Sequence, residues 1–250
     1  MFPNAAAELE NRVICVSGVG SSKPFHTLLV NAIPCLDILE KTQCFPFYTY
    51  DPDGSNRREN ITDWALAQFR THYADDQISK WDIFYMVYAL LHHPDYRTRY
   101  AANLKRDLPR IPYVSDFNAF NRAGRRLAAL HLDYEQETPY PLDFVWAKNK
   151  PVAWRVEKMK LTGDKKALKV NAALTLKGIP PEAFAYKLGS RSALEWVIDQ
   201  YQVATDKRSG ITSDPNQYSP DERYIVDLVG RVVAVSVETV RVVAGLPGVG

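Results

Sequence analysis

Lysine and arginine are the residues of this sequence whose types and spacing carry a usable chemistry. Between Trp146 and Lys177 stand Lys148, Lys150, Arg155, Lys158, Lys160, Lys165, Lys166, Lys169 and Lys177 against only Glu157 and Asp164, a local excess of +7 in a chain of net charge +2. Clustered cations of this kind neutralise phosphates. Lysines on an exposed strand also protect a sheet edge from pairing with another chain, and the spacing alone leaves both roles open. Smaller basic groups recur at Arg57 and Arg58, after the turn Asp51-Pro-Asp-Gly54, and at Lys207 and Arg208 in the polar run TDKRSGITSDPN.

Other reactive constellations are absent from the sequence. Gly18-Val-Gly-Ser-Ser-Lys23 invites a phosphate-loop reading, but that motif needs four residues between its glycines and a Gly-Lys-Ser/Thr end entering a helix. Here Pro24 follows Lys23, so a turn between two paired strands, RVICVS and FHTLLV, is the plainer reading. His26, His72, His92, His93 and His131 show no metal-ligand spacing, and no serine or aspartate partner is assignable to them. His92 and His93 before Pro94 read as a helix end, where an imidazolium would meet the negative end of the helix dipole. No catalytic residue, metal or cofactor is expected.

The elements that must position the basic groups centre on Ser79 to Pro112. Ser79 and Asp82 have capping-box spacing, and from Trp81 to Leu91 only Asp82 is charged, so a buried helix is expected. Pro94 suits the first turn of a second helix, with Tyr96, Tyr100, Leu104 and Leu108 as its apolar stripe. A helix from Thr62 or Asn60 to Tyr73 should bury Trp64, Leu66, Ala67 and Phe69. Another begins near Ser115, with Phe117, Phe120, Gly124, Leu127 and His131 on one face and Arg122, Arg125 and Arg126 solvated; Gly124 would admit a close neighbour. QCFPFYTY reads as a strand with Pro46 at an edge or bulge. VEKMKL and ALKVN flank Thr162-Gly163-Asp164 as a hairpin of alternating basic and apolar positions. Ser190 or Ser192 caps a short helix. Ser219-Pro220-Asp221-Glu222 predicts the onset of a helix through the valine-rich run to Gly245.

The fold class expected is mixed α+β. Residues 1–10 form a terminal arm and 11–250 one domain, with strands and loops over 11–58, a helical portion over 59–135, and a basic hairpin plus helices over 140–250. Glu137 to Pro141 is the best internal boundary. Cys15, Cys35 and Cys44 lack a metal or disulfide spacing and should be reduced. No run of eighteen apolar residues and no leader pattern occurs, so a cytoplasmic protein without membrane contact is expected.

The run DIFYMVYALLHHPDYRTRYAANLKRDLPRIPY resembles the segment that follows the catalytic domain in type ISP restriction-modification enzymes and related single-chain adenine methyltransferases. NRVICVSGVGSSKPF, QCFP, TLKGIPPEAFAYKLGSRSALEWVIDQY, TDKRSGITSDPN and YIVDLVGRVVAVSVETV also resemble blocks of the C-terminal specificity domain, in that order, across most of residues 11–247. The resemblance implies a domain that recognises double-stranded DNA for an adenine methyltransferase and the helicase and nuclease domains of a parent enzyme. It adds Ser21, Ser22 and Lys23 as donors on a DNA-facing loop, beside Arg57, Arg58, Lys148, Lys150, Arg155, Lys158, Lys160, Lys165, Lys166, Lys169, Lys207 and Arg208. The methylation motif Asn/Asp-Pro-Pro-Tyr is missing, and Asp214-Pro-Asn-Gln-Tyr218 is only its echo. No catalysis by this chain alone is therefore expected. The alternative is a docking module that braces a methyltransferase or helicase domain without reading bases.

Overall fold

The computed structural model describes residues 2–249. It divides into two compact units, one comprising the chain through Leu132 with the residues from Arg241 onward, the other Asp133–Val240. Helices and small antiparallel sheets alternate in both, giving the expected mixed α+β class.

In the first unit, the arm of residues 1–10 contains a short helix, α1 (Ala5–Glu10), whose Ala7 amide is capped by the Asn4 side chain. Strands β1 (Val13–Val16), β2 (Thr27–Val30) and β3 (Gln43–Pro46) form an antiparallel sheet of order β2-β1-β3. Central β1 is buried at every position, which is why its sequence shows no alternation. Pro46 ends an edge strand, where its missing N–H breaks no ladder. Strands β4 (Tyr48–Thr49) and β5 (Arg58–Glu59) pair across the Asp51–Gly54 turn, which is closed by the Gly54 amide on the Asp51 carbonyl at 2.9 Å.

Helix α2 (Asp63–Tyr73) is capped by Thr62. It buries no residue fully, and Trp64, expected inside, is 74% exposed; Leu66 and Phe69 alone of the expected stripe pack on the core with Tyr73. Helix α3 (Lys80–His92) opens with the full Ser79/Asp82 capping box and buries eight residues. The second helix of the central stretch is broken in two, α4 (Pro94–Arg99) and α5 (Ala101–Leu104). Tyr96 and Leu104 are buried as expected, but the stripe stops there and Leu108 lies 44% exposed. Helix α6 (Phe117–Leu132) packs against α3, and Asp116, not Ser115, accepts from its Ala119 amide. Arg125 leaves the solvated face: it donates to Asp82 at 2.7 Å and lies over the Tyr85 ring.

In the second unit, β6 (Asp143–Trp146), β7 (Lys160–Leu161), β8 (Ala167–Lys169) and β9 (Leu174–Lys177) form an antiparallel sheet of order β6-β9-β8-β7. The two-residue strands β10 (Lys187–Leu188) and β11 (Arg191–Ser192) pair before α7 (Ala193–Gln200), which Ser192 opens through a capping box with Glu195. Strands β12 (Ala204–Thr205) and β13 (Thr212–Ser213) make a small hairpin at the polar run TDKRSGITSDPN. The valine-rich run is helix α8 (Tyr224–Ala244), which contributes to both units. Its onset falls after the predicted Ser219 cap. The Ser219 hydroxyl accepts from the Asp221 amide and the Asp221 carboxylate from the Arg223 amide, so these side chains build a turn ahead of the helix.

Candidate nucleic-acid interface

The basic ribbon of β7 and β8 alternates in chemistry as well as in position. Leu168 is fully buried and faces Leu161, while the next pair along the ladder is Lys160 opposite Lys169, both exposed. Two like charges directly opposite on one face oppose pairing by up to about 1 kcal/mol. No acid relieves this pair, since neither lysine has a hydrogen bond or ion pair among the described residues. Lys148 and Lys150, in the turn after β6, and Lys158, before β7, are likewise exposed and unpaired.

Other basic residues are already engaged. Arg155 donates to Glu157 at 2.6 Å and to Asp214 at 2.9 Å. Lys165 donates to Glu195 at 2.8 Å, with its ammonium 5.0 Å from the centre of the Phe184 ring. The Lys165 contact is the main reason that the Glu195 carboxyl is held down at about 2. Lys165, Lys166 and Lys177 line an open cleft of about 940 Å³ whose apolar wall includes Ile179 and Phe184. In the first unit Arg57 pairs with Glu10 and covers the Tyr48 ring, and Arg58 donates to Asp51 at 2.6 Å.

The glycine-serine loop is filled from within. Glu40 accepts from the Ser21 hydroxyl (2.7 Å), the Ser22 amide (2.8 Å) and hydroxyl (3.1 Å) and the Lys23 amide (3.0 Å). The Ser21 hydroxyl foremost holds its carboxyl at about 2. These are the donors that a phosphate would use, and the loop feeds β2 instead of a helix, so the phosphate-loop reading ends here. Only the Lys23 ammonium points a free charge outward from this loop.

The hairpin tip between β12 and β13 carries Lys207 and Arg208, both exposed and with side chains free of polar partners. The Asp206 carboxylate anchors the tip by accepting from the Arg208 and Ser209 amides. Ile211, beside these cations and 70% exposed, escaped the sequence reading because a single isoleucine in a polar run has no period to reveal its direction.

The histidines do not form a reactive cluster. His93 caps α4 through the Asp95 amide at 3.1 Å, and Tyr88 and His131 Nδ1 share a 2.6 Å hydrogen bond. Burial drives His92 well below the usual histidine range and His131 down to about 3, so both are neutral, and the imidazolium expected at His92 does not form. Among the described residues no group of three or more His, Cys, Asp or Glu could hold a metal ion, and no helix is long and apolar enough to cross a membrane.

The geometry is that of a mixed α+β module with unpaired cations on an antiparallel ribbon and on a hairpin tip. The chain is a member of the Type ISP C-terminal specificity domain family, whose model matches residues 1–228. Three solved structures resemble it over 96% of its length. A DrdV–DNA complex determined by cryo-electron microscopy is 43% identical with a TM-score of 0.84, and this chain covers 25% of it. A nuclease-deletion mutant of the Type ISP restriction-modification enzyme LlaGI, in complex with a DNA substrate mimic, is 36% identical (TM-score 0.80, 21% covered). The ATP-dependent Type ISP enzyme LlaBIII, bound to DNA, is 33% identical (TM-score 0.83, 16% covered). The chain thus spans a quarter or less of the length of these three chains. No curated protein matches it.

Proposed function

We propose that this chain recognises sequence in double-stranded DNA on behalf of a restriction-modification enzyme, directing adenine methyltransferase and helicase or nuclease domains to their site. It works in the cytoplasm, without a cofactor and without catalysis of its own. The observation that carries this reading is Lys160 opposite Lys169, an unrelieved cationic pair at the head of a ribbon with Lys148, Lys150, Lys158 and Lys166 exposed in the same unit. Such a pair is unfavourable in the free protein and favourable against a phosphate backbone. The domain's relatives support the partner, since the DrdV, LlaGI and LlaBIII structures contain DNA or its mimic.

Recognition needs phosphate contacts for register and base contacts for sequence. The ribbon suits the first task. Lys207, Arg208 and Lys23 present further free cations, whereas Arg57, Arg58, Arg155 and Lys165 would have to leave acidic partners to join them. Fluorescence anisotropy with duplex DNA over a salt series tests the assignment. Lys160→Ala with Lys169→Ala should weaken binding and lower the salt slope by about 2, since each neutralised phosphate contributes about one. An unchanged slope would remove the ribbon from the interface.

Trp64 favours a second reading, a bracing contact with a neighbouring domain, because it stands exposed on a helix that buries nothing fully. Trp64→Ala should leave DNA binding intact and weaken association with the methyltransferase portion of the parent enzyme.

A further inference from the structure

The β12–β13 hairpin is held in shape by its own tip. Its four strand residues are all exposed, so no core fixes it. Instead the Asp206 carboxylate accepts from the Arg208 amide (2.9 Å), the Ser209 amide (2.7 Å) and the Ser209 hydroxyl (2.9 Å). The Asp206 amide donates to the Ile211 carbonyl and the Gly210 amide to the Asp206 carbonyl, each at 2.9 Å. Gly210 has a φ of +72°, a left-handed conformation that glycine adopts without strain. Below the tip, the Thr205 and Thr212 hydroxyls meet at 2.9 Å across the ladder. The Ser209 amide and hydroxyl are the foremost reasons that the Asp206 carboxyl lies below its usual range, so the turn stays capped at neutral pH.

These bonds leave three tip side chains outside the network: Lys207, Arg208 and Ile211. A rigid turn that spends its polar groups on itself and presents an apolar side chain beside two free cations is organised in advance of a partner. The partner must combine negative charge with a small apolar feature. The DNA major groove offers both: it admits a two-stranded β-ribbon, and the apolar group on its base edges is the 5-methyl of thymine. The minor groove presents only acceptors and the guanine amino group, with no methyl for an apolar side chain to meet. Ile211 is also stiff at χ1, so little side-chain freedom is lost on contact.

We propose that the hairpin from Ala204 to Ser213 enters the major groove and that Ile211 determines specificity by packing on a thymine 5-methyl group, with Lys207 and Arg208 contacting the flanking acceptors. This rests on the DNA-reading function proposed above. The test is selection from a randomised duplex library with the full chain, wild type and Ile211→Ala, followed by anisotropy on the enriched duplex with each thymine replaced in turn by uracil, which lacks the methyl.

The wild type should enrich a motif containing a thymine whose replacement by uracil weakens binding about 3- to 10-fold. Ile211→Ala should lose the preference at that position and the sensitivity to uracil, while keeping the rest of the motif and the salt slope. The exposed position makes a folding defect an unimportant confounder, and the uracil arm needs no protein change. Equal motifs and equal uracil sensitivity in the two proteins would overturn the role of Ile211 and leave DNA reading intact. Absence of any binding by the wild type would instead defeat the parent reading.

Discussion

Gly124 of α6 faces the Tyr85 carbonyl of α3 so closely that a Cβ built on it would lie 1.8 Å from that oxygen. Both atoms are backbone, so neither can swing away. Replacing a helical glycine by alanine gains about 1 kcal/mol in propensity. Forcing a methyl into a packed contact costs about 1–3 kcal/mol and here more, because the helices themselves must separate. Gly124→Ala is therefore expected to destabilise the first unit by about 2 kcal/mol, lowering Tm by about 4–8 °C. Thermal denaturation followed by circular dichroism checks this, and an unchanged Tm would show that α3 and α6 can part cheaply.

Acid should loosen the first unit earlier than its carboxylates alone would. His131 is held at about 3 and His92 well below its ordinary value, whereas both return to about 6.5 in the unfolded chain. The unfolded state then binds more protons as pH falls, so the stability linked to these residues is complete above about pH 6.5 and declines from there towards 3. Tm measured between pH 7.5 and 4.5 should fall steadily. His92→Gln with His131→Gln should flatten that slope even if it lowers Tm throughout.

The three thiols should react very differently. Cys15 is fully buried, and burial pushes its thiol up to about 12; its cross-strand neighbour Cys44 lies with its sulfur 3.8 Å away. Cys35 is exposed. Reaction with a chromogenic disulfide reagent should show one fast thiol, removed by Cys35→Ser, since exposure and thiolate content control the rate. A fast phase that survives this substitution would contradict the claim that Cys35 alone is open to the reagent, since Cys44 is half-buried.

Free and engaged cations should separate in binding assays. Lys169→Ala removes a charge with no partner, while Arg155→Ala removes one already shared by Glu157 and Asp214. The lysine variant should lower the salt slope by about one unit, and the arginine variant by clearly less. Equal effects would mean that Arg155 changes partners on binding.

Local chemistry was the part of the fold open to sequence reading. The Ser79/Asp82 box, a serine cap at Ser190 or Ser192, Pro94 at a helix start and the hairpin around Gly163 all depend on residues a few positions apart, and the structure places the second cap at Ser192. Long-range partners were not open to it. Glu40 reaches Ser21 across 19 residues and Arg125 reaches Asp82 across 43, and no spacing rule connects such pairs. Trp64 shows the limit of periodicity, which groups residues on a face without saying whether a core covers all of it. The basic candidates were visible as charges, but their division into free and paired ones depends on acids brought in by the fold.

The most direct measurement is fluorescence anisotropy of this chain on random duplex DNA from low to moderate salt, followed by selection of preferred sequences. Binding that weakens steeply with salt and enriches a defined sequence is the predicted result. No binding at low salt, or binding without any sequence preference, would contradict the claim that this domain reads DNA.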